Sequence, residues 1–211
     1  GGKTTLLNAV MGFLTPTGGQ VLTDGAPIAN AAAWRRRVAW VGQSPGLVSG
    51  TVADNVALGS PRAGADEIAE ALTLAGAGAL PPSQPVGDDA EGVSAGERRR
   101  IAVARALLRV RRGGISLLVL DEPTAGLDTD TEAELLESLR GLDVAALVVS
   151  HRPAVLAEAD RVVRIGPDDT PSERSLRPSE RSLSLSKGRP TEASTVPRAA
   201  DAPLVKTPTP T

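Results

Sequence analysis

The 211-residue sequence contains no cysteine and no tyrosine, and its only aromatic residues are Phe13, Trp34 and Trp40. Without cysteine there is no disulfide, zinc–thiolate site or cysteine nucleophile. Three aromatics do not make a platform on which bases stack. His151 is the single histidine, too few for a multi-histidine metal site. A strong excess of one charge is also lacking. Lys and Arg number 23 and Asp and Glu 25, giving −2, which excludes a strongly basic nucleic-acid-coating protein; no nucleic-acid partner is expected. No apolar run approaches the roughly 20 residues of a membrane span, and no signal peptide opens the chain. Gly1 stands where an initiating methionine is expected, so the sequence reads as a fragment.

What is present is enough for a sizeable core, since 41% of residues are apolar. Composition changes near Gly166. Residues 167–211 hold 8 of the 17 prolines, 7 serines and 6 threonines, with 7 basic and 6 acidic residues intermixed. Scattered apolar residues without a period of 2 or 3.6 cannot offset ordering entropy, which predicts a disordered tail. The remaining body carries 16 basic and 19 acidic residues.

In that body, strand-like runs alternate with helix-like runs. Helices are expected at Thr4–Met11, Asp66–Leu74, Ala95–Val110 and Asp130–Leu142. Their apolar faces read Ile68, Ala71, Leu72 and Ala75; Ile101, Ala104, Leu107 and Leu108; and Leu135, Leu139 and Leu142. Strands are expected at Gly19–Thr23, closed by the turn pair Asp24-Gly25, and at Val38–Val41, Ile115–Leu120, Val144–Val149 and Arg161–Ile165. Buried strands alternating with helices predict an α/β fold on a parallel sheet.

Three motifs carry chemistry. Gly1-Gly2-Lys3-Thr4-Thr5 opens a helix and matches the end of the phosphate-binding loop G-x-x-x-x-G-K-[ST]. Backbone N–H groups at a helix N-terminus favour an anion. Lys3 can reach the β and γ phosphates, and the Thr4 hydroxyl can ligate Mg²⁺. Alone, the same five residues also describe a Gly-rich turn before an ordinary helix. In the second motif, the apolar run Ile115–Leu120 delivers Asp121 and Glu122 at a strand's C-terminal end, where open α/β sheets bind ligands. Asp121 can hold the Mg²⁺ shell, and Glu122 can polarise an attacking water. The third is Val93-Ser94-Ala95-Gly96-Glu97-Arg98, 27 residues ahead of Asp121 counted from Ser94. It presents a small-residue helix start and a serine hydroxyl to a phosphate, or simply caps an Arg-rich helix.

With this third motif the sequence resembles the nucleotide-binding domain of ABC transporters, a P-loop NTPase fold with a parallel sheet core and a helical subdomain. Val-Ser-Ala-Gly-Glu stands where that family has Leu-Ser-Gly-Gly-Gln. The resemblance spans residues 1–166, with the helical subdomain at about 44–110, and implies further roles. Gln43 matches the glutamine that senses Mg²⁺ and the attacking water and faces the transmembrane partner. Ala125-Gly126-Leu127-Asp128 matches the D-loop, and Asp128 would support contact between two active sites as well as cap a helix. His151, 29 residues after Glu122, matches the switch histidine at the γ phosphate. By analogy, two such domains pair head to tail. ATP then lies between Gly1–Thr5 of one and Ser94, Ala95, Gly96 and Glu97 of the other, so one domain alone should hydrolyse it poorly.

Residues 44–56 resemble the exporter-type stretch P-x-L-F-x-G-T-I-x-E-N-I, and Val86-Gly87-Asp88 resembles the exporter V-G-E segment. Both imply contact with the transmembrane half of an exporter, hence a place at the cytoplasmic face of a bacterial inner membrane. Ser94–Arg98 and Ser150-His151-Arg152-Pro153 look like the CydD and CydC families, more the former. Those subunits form heterodimers that export cysteine and glutathione and support cytochrome bd assembly. Twenty Arg against three Lys suggest a GC-rich bacterial genome. The sequence departs from the family in lacking an upstream strand and an adenine-stacking aromatic, because Trp34 and Trp40 both follow Lys3. The expected consequences are weak ATP binding and an exposed sheet edge. An ABC ATPase without transport, and a non-catalytic remnant of a truncated gene, are the alternative readings.

Overall fold

The computed structural model describes residues 2–165. Its elements run α1 (Lys3–Val10), β1 (Leu22–Thr23), β2 (Ala26–Pro27), α2 (Ala31–Arg36), β3 (Val38–Val41), β4 (Gly50–Thr51), α3 (Val52–Ala57), α4 (Ala65–Leu74), β5 (Pro85–Val86), α5 (Ala95–Arg111), β6 (Leu117–Asp121), α6 (Thr129–Arg140), β7 (Ala145–Val149) and α7 (Pro153–Glu158). The predicted tail, residues 167–211, lies outside the described residues, as does Gly1.

The central sheet has the order β3-β6-β7 and is parallel throughout. Leu117–Leu120 of β6 are fully buried because strands cover both edges and helices both faces. The strand period of 2 divides them. Leu117 and Val119 join Leu7, Val10, Met11, Trp34 and Val38 under α1 and α2. Leu118 and Leu120 join Ala39 and Val41 under α5, whose stripe Ile101, Ala104, Leu107 and Leu108 is wholly buried. At roughly 1.5–3 kcal/mol for a fully buried aliphatic side chain, β6 is the strongest single anchor of the sheet. The second core continues into α3 and α4 through Val52, Val56, Ile68, Ala71 and Leu72. The turn after α3 approaches α5 so closely at Gly59 that a Cβ there would stand 2.2 Å from the Arg105 carbonyl oxygen, and only glycine fits.

Several expectations change. Arg161–Ile165 forms no strand, because among the described residues it has no ladder partner. Ile165 instead lies beside Gly2. The Gly19–Thr23 strand shortens to β1, paired with β2 around Asp24-Gly25; both turn residues have positive φ, 52° and 79°, as a tight hairpin turn requires. β7 is only partly buried, since it sits at the end of the strand order, and on β3 Trp40 is 49% exposed. Six short strands and helices were not anticipated: β2, α2, α3, α7 and the β4–β5 pair. They have too few residues to show a period. The pair of β4 and β5 nevertheless fixes Gly50–Thr51 against Pro85–Val86, and α3 carries a capping box between Thr51 and Asp54.

Candidate active site

The site is assembled at the C-terminal ends of β6 and β7. β6 delivers Asp121 and then Glu122, whose amide donates to the Val149 carbonyl of β7 at 2.8 Å. Glu122 adopts φ 52°, a left-handed backbone that a non-glycine residue occupies at a cost of about 1–3 kcal/mol. The twist aims its carboxylate at the segment after β7. His151 Nδ1 lies 2.9 Å from Glu122 Oε1, and the Ser150 hydroxyl is 3.4 Å from Oε2. The His151 side chain is 79% exposed while that of Glu122 is 14% exposed, so the histidine stands over a recessed carboxylate.

Helix α1 packs on one face of β6, where Leu7, Val10 and Met11 meet Leu117 and Val119. Gly2 is its left-handed N-cap at φ 86°, and no side chain caps the first turn, which leaves its N–H groups available to an anion. Lys3, Thr4 and Thr5 are exposed. Burial first, then the neighbouring Glu122 charge, push the Asp121 carboxyl above its ordinary range, while Lys3 and Arg99 pull it down. Lys3 is therefore close enough to Asp121 for their charges to interact. A partly buried carboxylate pair opposed by one ammonium suits a divalent cation shared with phosphate oxygens. Mg²⁺ is commonly held this way, by one or two carboxylates plus phosphates rather than a protein cage. Among the described residues no cluster of three acidic, histidine or cysteine ligands exists.

The other predicted residues sit as follows. Gln43 is exposed just beyond β3, and its backbone carbonyl accepts from Arg99 Nη2 at 2.7 Å. Asp128 caps α6 by accepting from the Thr131 amide at 3.0 Å and the Thr131 hydroxyl at 2.8 Å. Ser94 caps α5 reciprocally: its hydroxyl accepts from the Glu97 amide at 3.2 Å, and the Glu97 carboxylate accepts from the Ser94 amide at 2.7 Å. That second bond, then the hydroxyl, holds the Glu97 carboxyl below its ordinary range. Ala95 and Gly96 complete this exposed helix start. Among the described residues, no hydrogen bond joins Ser94–Glu97 to Lys3, Glu122 or His151. Lys3, Asp121, Glu122 and His151 are thus brought together within one chain, and Ser94–Glu97 is not. Sequence reasoning missed Ser150, although it directly precedes His151. It also missed Arg99, which holds the Gln43 and Ala125 carbonyls, and Arg152, which holds the Thr124 carbonyl and the Glu132 carboxylate; no residue pattern reveals these partners.

A sequence profile described as "ABC transporter" matches residues 1–125. The glutathione/L-cysteine transport system ATP-binding/permease protein CydD of Escherichia coli strain K12 is 40% identical over 172 residues, covering 75% of this chain and 28% of that protein. CydD of Haemophilus influenzae is 38% identical over 169 residues, covering 76% and 28%. The ATP-dependent lipid A-core flippase of Syntrophus aciditrophicus is 39% identical over 173 residues, covering 77% and 28%. The chain therefore spans less than a third of the length of these relatives. A bacterial Atm1-family ABC exporter solved with ATP bound superposes with a TM-score of 0.68 at 30% identity, over 75% of this chain and 29% of that one.

Proposed function

Because the chain belongs to the ABC transporter family, we propose that it is the ATP-binding and ATP-hydrolysing domain of a bacterial exporter. One observation carries this reading: Glu122 and His151 meet at 2.9 Å at the strand ends, beside a helix start that bears Lys3. That is the arrangement phosphoryl transfer to water needs, with a carboxylate for the proton and cations for the developing charge.

Each residue then has a task. Gly1, Gly2, Lys3, Thr4 and Thr5 hold the phosphates of ATP. Thr4, Asp121 and Gln43 would hold Mg²⁺, which would neutralise charge on the terminal phosphates. Glu122 orients a water and accepts its proton as the water oxygen bonds to the γ phosphorus and the bond to the β–γ bridging oxygen breaks. His151 is fixed by Glu122 and contacts the γ phosphate. The gap between this cluster and Ser94–Glu97 supports completion by a second domain, paired head to tail, with Asp128 at the contact. Residues 1–166 would form the domain, with the helices of 44–110 as its helical subdomain.

Similarity to CydD favours cysteine or glutathione as cargo, a heterodimeric partner, and attachment to the cytoplasmic face of the inner membrane through a transmembrane domain. The lipid A-core flippase is about equally similar, so lipid is the second reading of the cargo. In the full product of the gene, Glu122→Gln should lower ATP turnover by about 10²-fold or more while ATP-driven dimerisation persists. Unchanged turnover would remove Glu122 from this role. Uptake of labelled cysteine or lipid by inverted vesicles decides between the cargoes.

A further inference from the structure

The loop Pro123–Asp128 runs from Glu122 to the cap of α6. Two of its consecutive carbonyls are taken by arginines that arrive from different elements. Arg152 Nη1 donates to the Thr124 carbonyl at 2.6 Å, and Arg99 Nη1 donates to the Ala125 carbonyl at 3.1 Å. Each guanidinium has a second hold. Arg152 Nη2 pairs with Glu132 Oε2 at 2.8 Å, on the first turn of α6, and Glu132 is only 4% exposed. Arg99 Nη2 holds the Gln43 carbonyl.

These positions link the parts of the site. Arg152 follows His151 directly, and its amide donates to the Ser150 hydroxyl at 3.2 Å, the same hydroxyl that meets Glu122. Arg99 lies on α5, five residues after Ser94. One guanidinium therefore ties the loop to the histidine segment, and the other ties it to Gln43 and to the helix opened by Ser94. A planar fork with several fixed donors can hold two acceptors at once, which a lysine ammonium does less well. Glu132 would be a buried carboxylate without charge compensation if Arg152 were absent, and its Oε1 already has no hydrogen-bond partner.

We infer that Arg99 and Arg152 are positioning residues for the hydrolysis proposed above, on which this inference rests. By gripping the Thr124 and Ala125 carbonyls they fix Glu122 at one end of the loop and Asp128 at the other, relative to His151 and Gln43. Neither touches substrate; Arg152 acts through the loop, and Arg99 through the loop and through its charge on Asp121.

Two readouts on the full product of the gene test this. The first is amide hydrogen exchange at Leu127, which donates to the same Thr124 carbonyl that Arg152 holds, at 3.1 Å. Arg99→Ala, and Arg152→Ala combined with Glu132→Gln so that no buried charge is left unpaired, should each speed this exchange on the order of tenfold relative to any change at the β6 amides. The second is steady-state hydrolysis. Each variant should lower kcat on the order of tenfold with KM for ATP within about threefold, and the double variant should lose little more than the worse single one, because the two grip one loop. Arg152→Lys should recover part of the loss. Unchanged Leu127 exchange, or unchanged kcat, overturns the inference, and so does a loss that follows a general fall in β6 protection. If the parent does not hydrolyse ATP, faster exchange in the variants still upholds the grip and overturns only the ATPase reading.

Discussion

Lys3 is the most exposed commitment of the candidate site. Its ammonium sits at an uncapped helix start and works against the upward push on Asp121. Replacing it should therefore act on ligand rather than on fold. Lys3→Ala is expected to weaken ATP affinity at least tenfold, measured by titration calorimetry, with the melting temperature unchanged within about 2 °C. A large fall in melting temperature would mean that the side chain serves the fold instead. Lys3 and Asp121-Glu122 were singled out in the sequence from residue type and spacing, and His151 through the family resemblance. Lys3 after two glycines, Asp121-Glu122 after an apolar run and His151 after another are each one local pattern. Arg99 and Arg152 were not readable, since the Gln43, Ala125 and Thr124 carbonyls they hold come from 56, 26 and 28 positions away.

Among elements, the caps decide how the site's edges are framed. Ser94 opens α5, Asp128 opens α6 and Thr51 opens α3, each with a side-chain oxygen on a backbone amide. Three carboxyls in these caps are held below their ordinary range: Glu97 chiefly by the Ser94 amide, Asp128 chiefly by the Thr131 amide, Asp54 chiefly by the Thr51 hydroxyl. A lowered carboxyl contributes stability that is present above the ordinary carboxylate range and disappears as pH falls through the lowered value. Asp121 is shifted upward and partly opposes them. The urea midpoint is accordingly expected to hold between pH 7 and pH 5 and to drop toward pH 3, less steeply in Asp128→Asn. A midpoint independent of pH would contradict the caps. Long amphipathic elements such as α5 and α6 were legible to within about two residues of their ends, because a 3.6 period needs several turns to show. α2, α3 and α7 have six residues each and show none. Arg161–Ile165 had the composition of a strand but not the neighbour, and a strand is a property of the pair.

For the whole molecule, the sheet's edges matter most. β6 is paired on both sides, whereas among the described residues β3 and β7 are each paired only with β6. Ala146 of β7 is exposed. An unpaired strand edge is a template for another chain. The chain on its own is expected to self-associate, seen as a rising scattering signal at micromolar concentration. Ala146→Lys should reduce that signal without lowering the melting temperature. Equal scattering in both proteins would place the association elsewhere, at the β3 edge or at exposed apolar side chains such as Phe13, Trp40, Leu58 and Val163.

With Glu122 in the proposed role of hydrolytic carboxylate, its left-handed backbone sets function and durability against each other. Asparagine tolerates that conformation better than glutamate does. Glu122→Asn should therefore melt about 1–3 °C higher than the parent and hydrolyse no ATP. Screening a random library for heat resistance alone would select such variants early. A lineage released from the need to hydrolyse ATP would drift toward them, with position 122 changing before the buried residues of β6 around it.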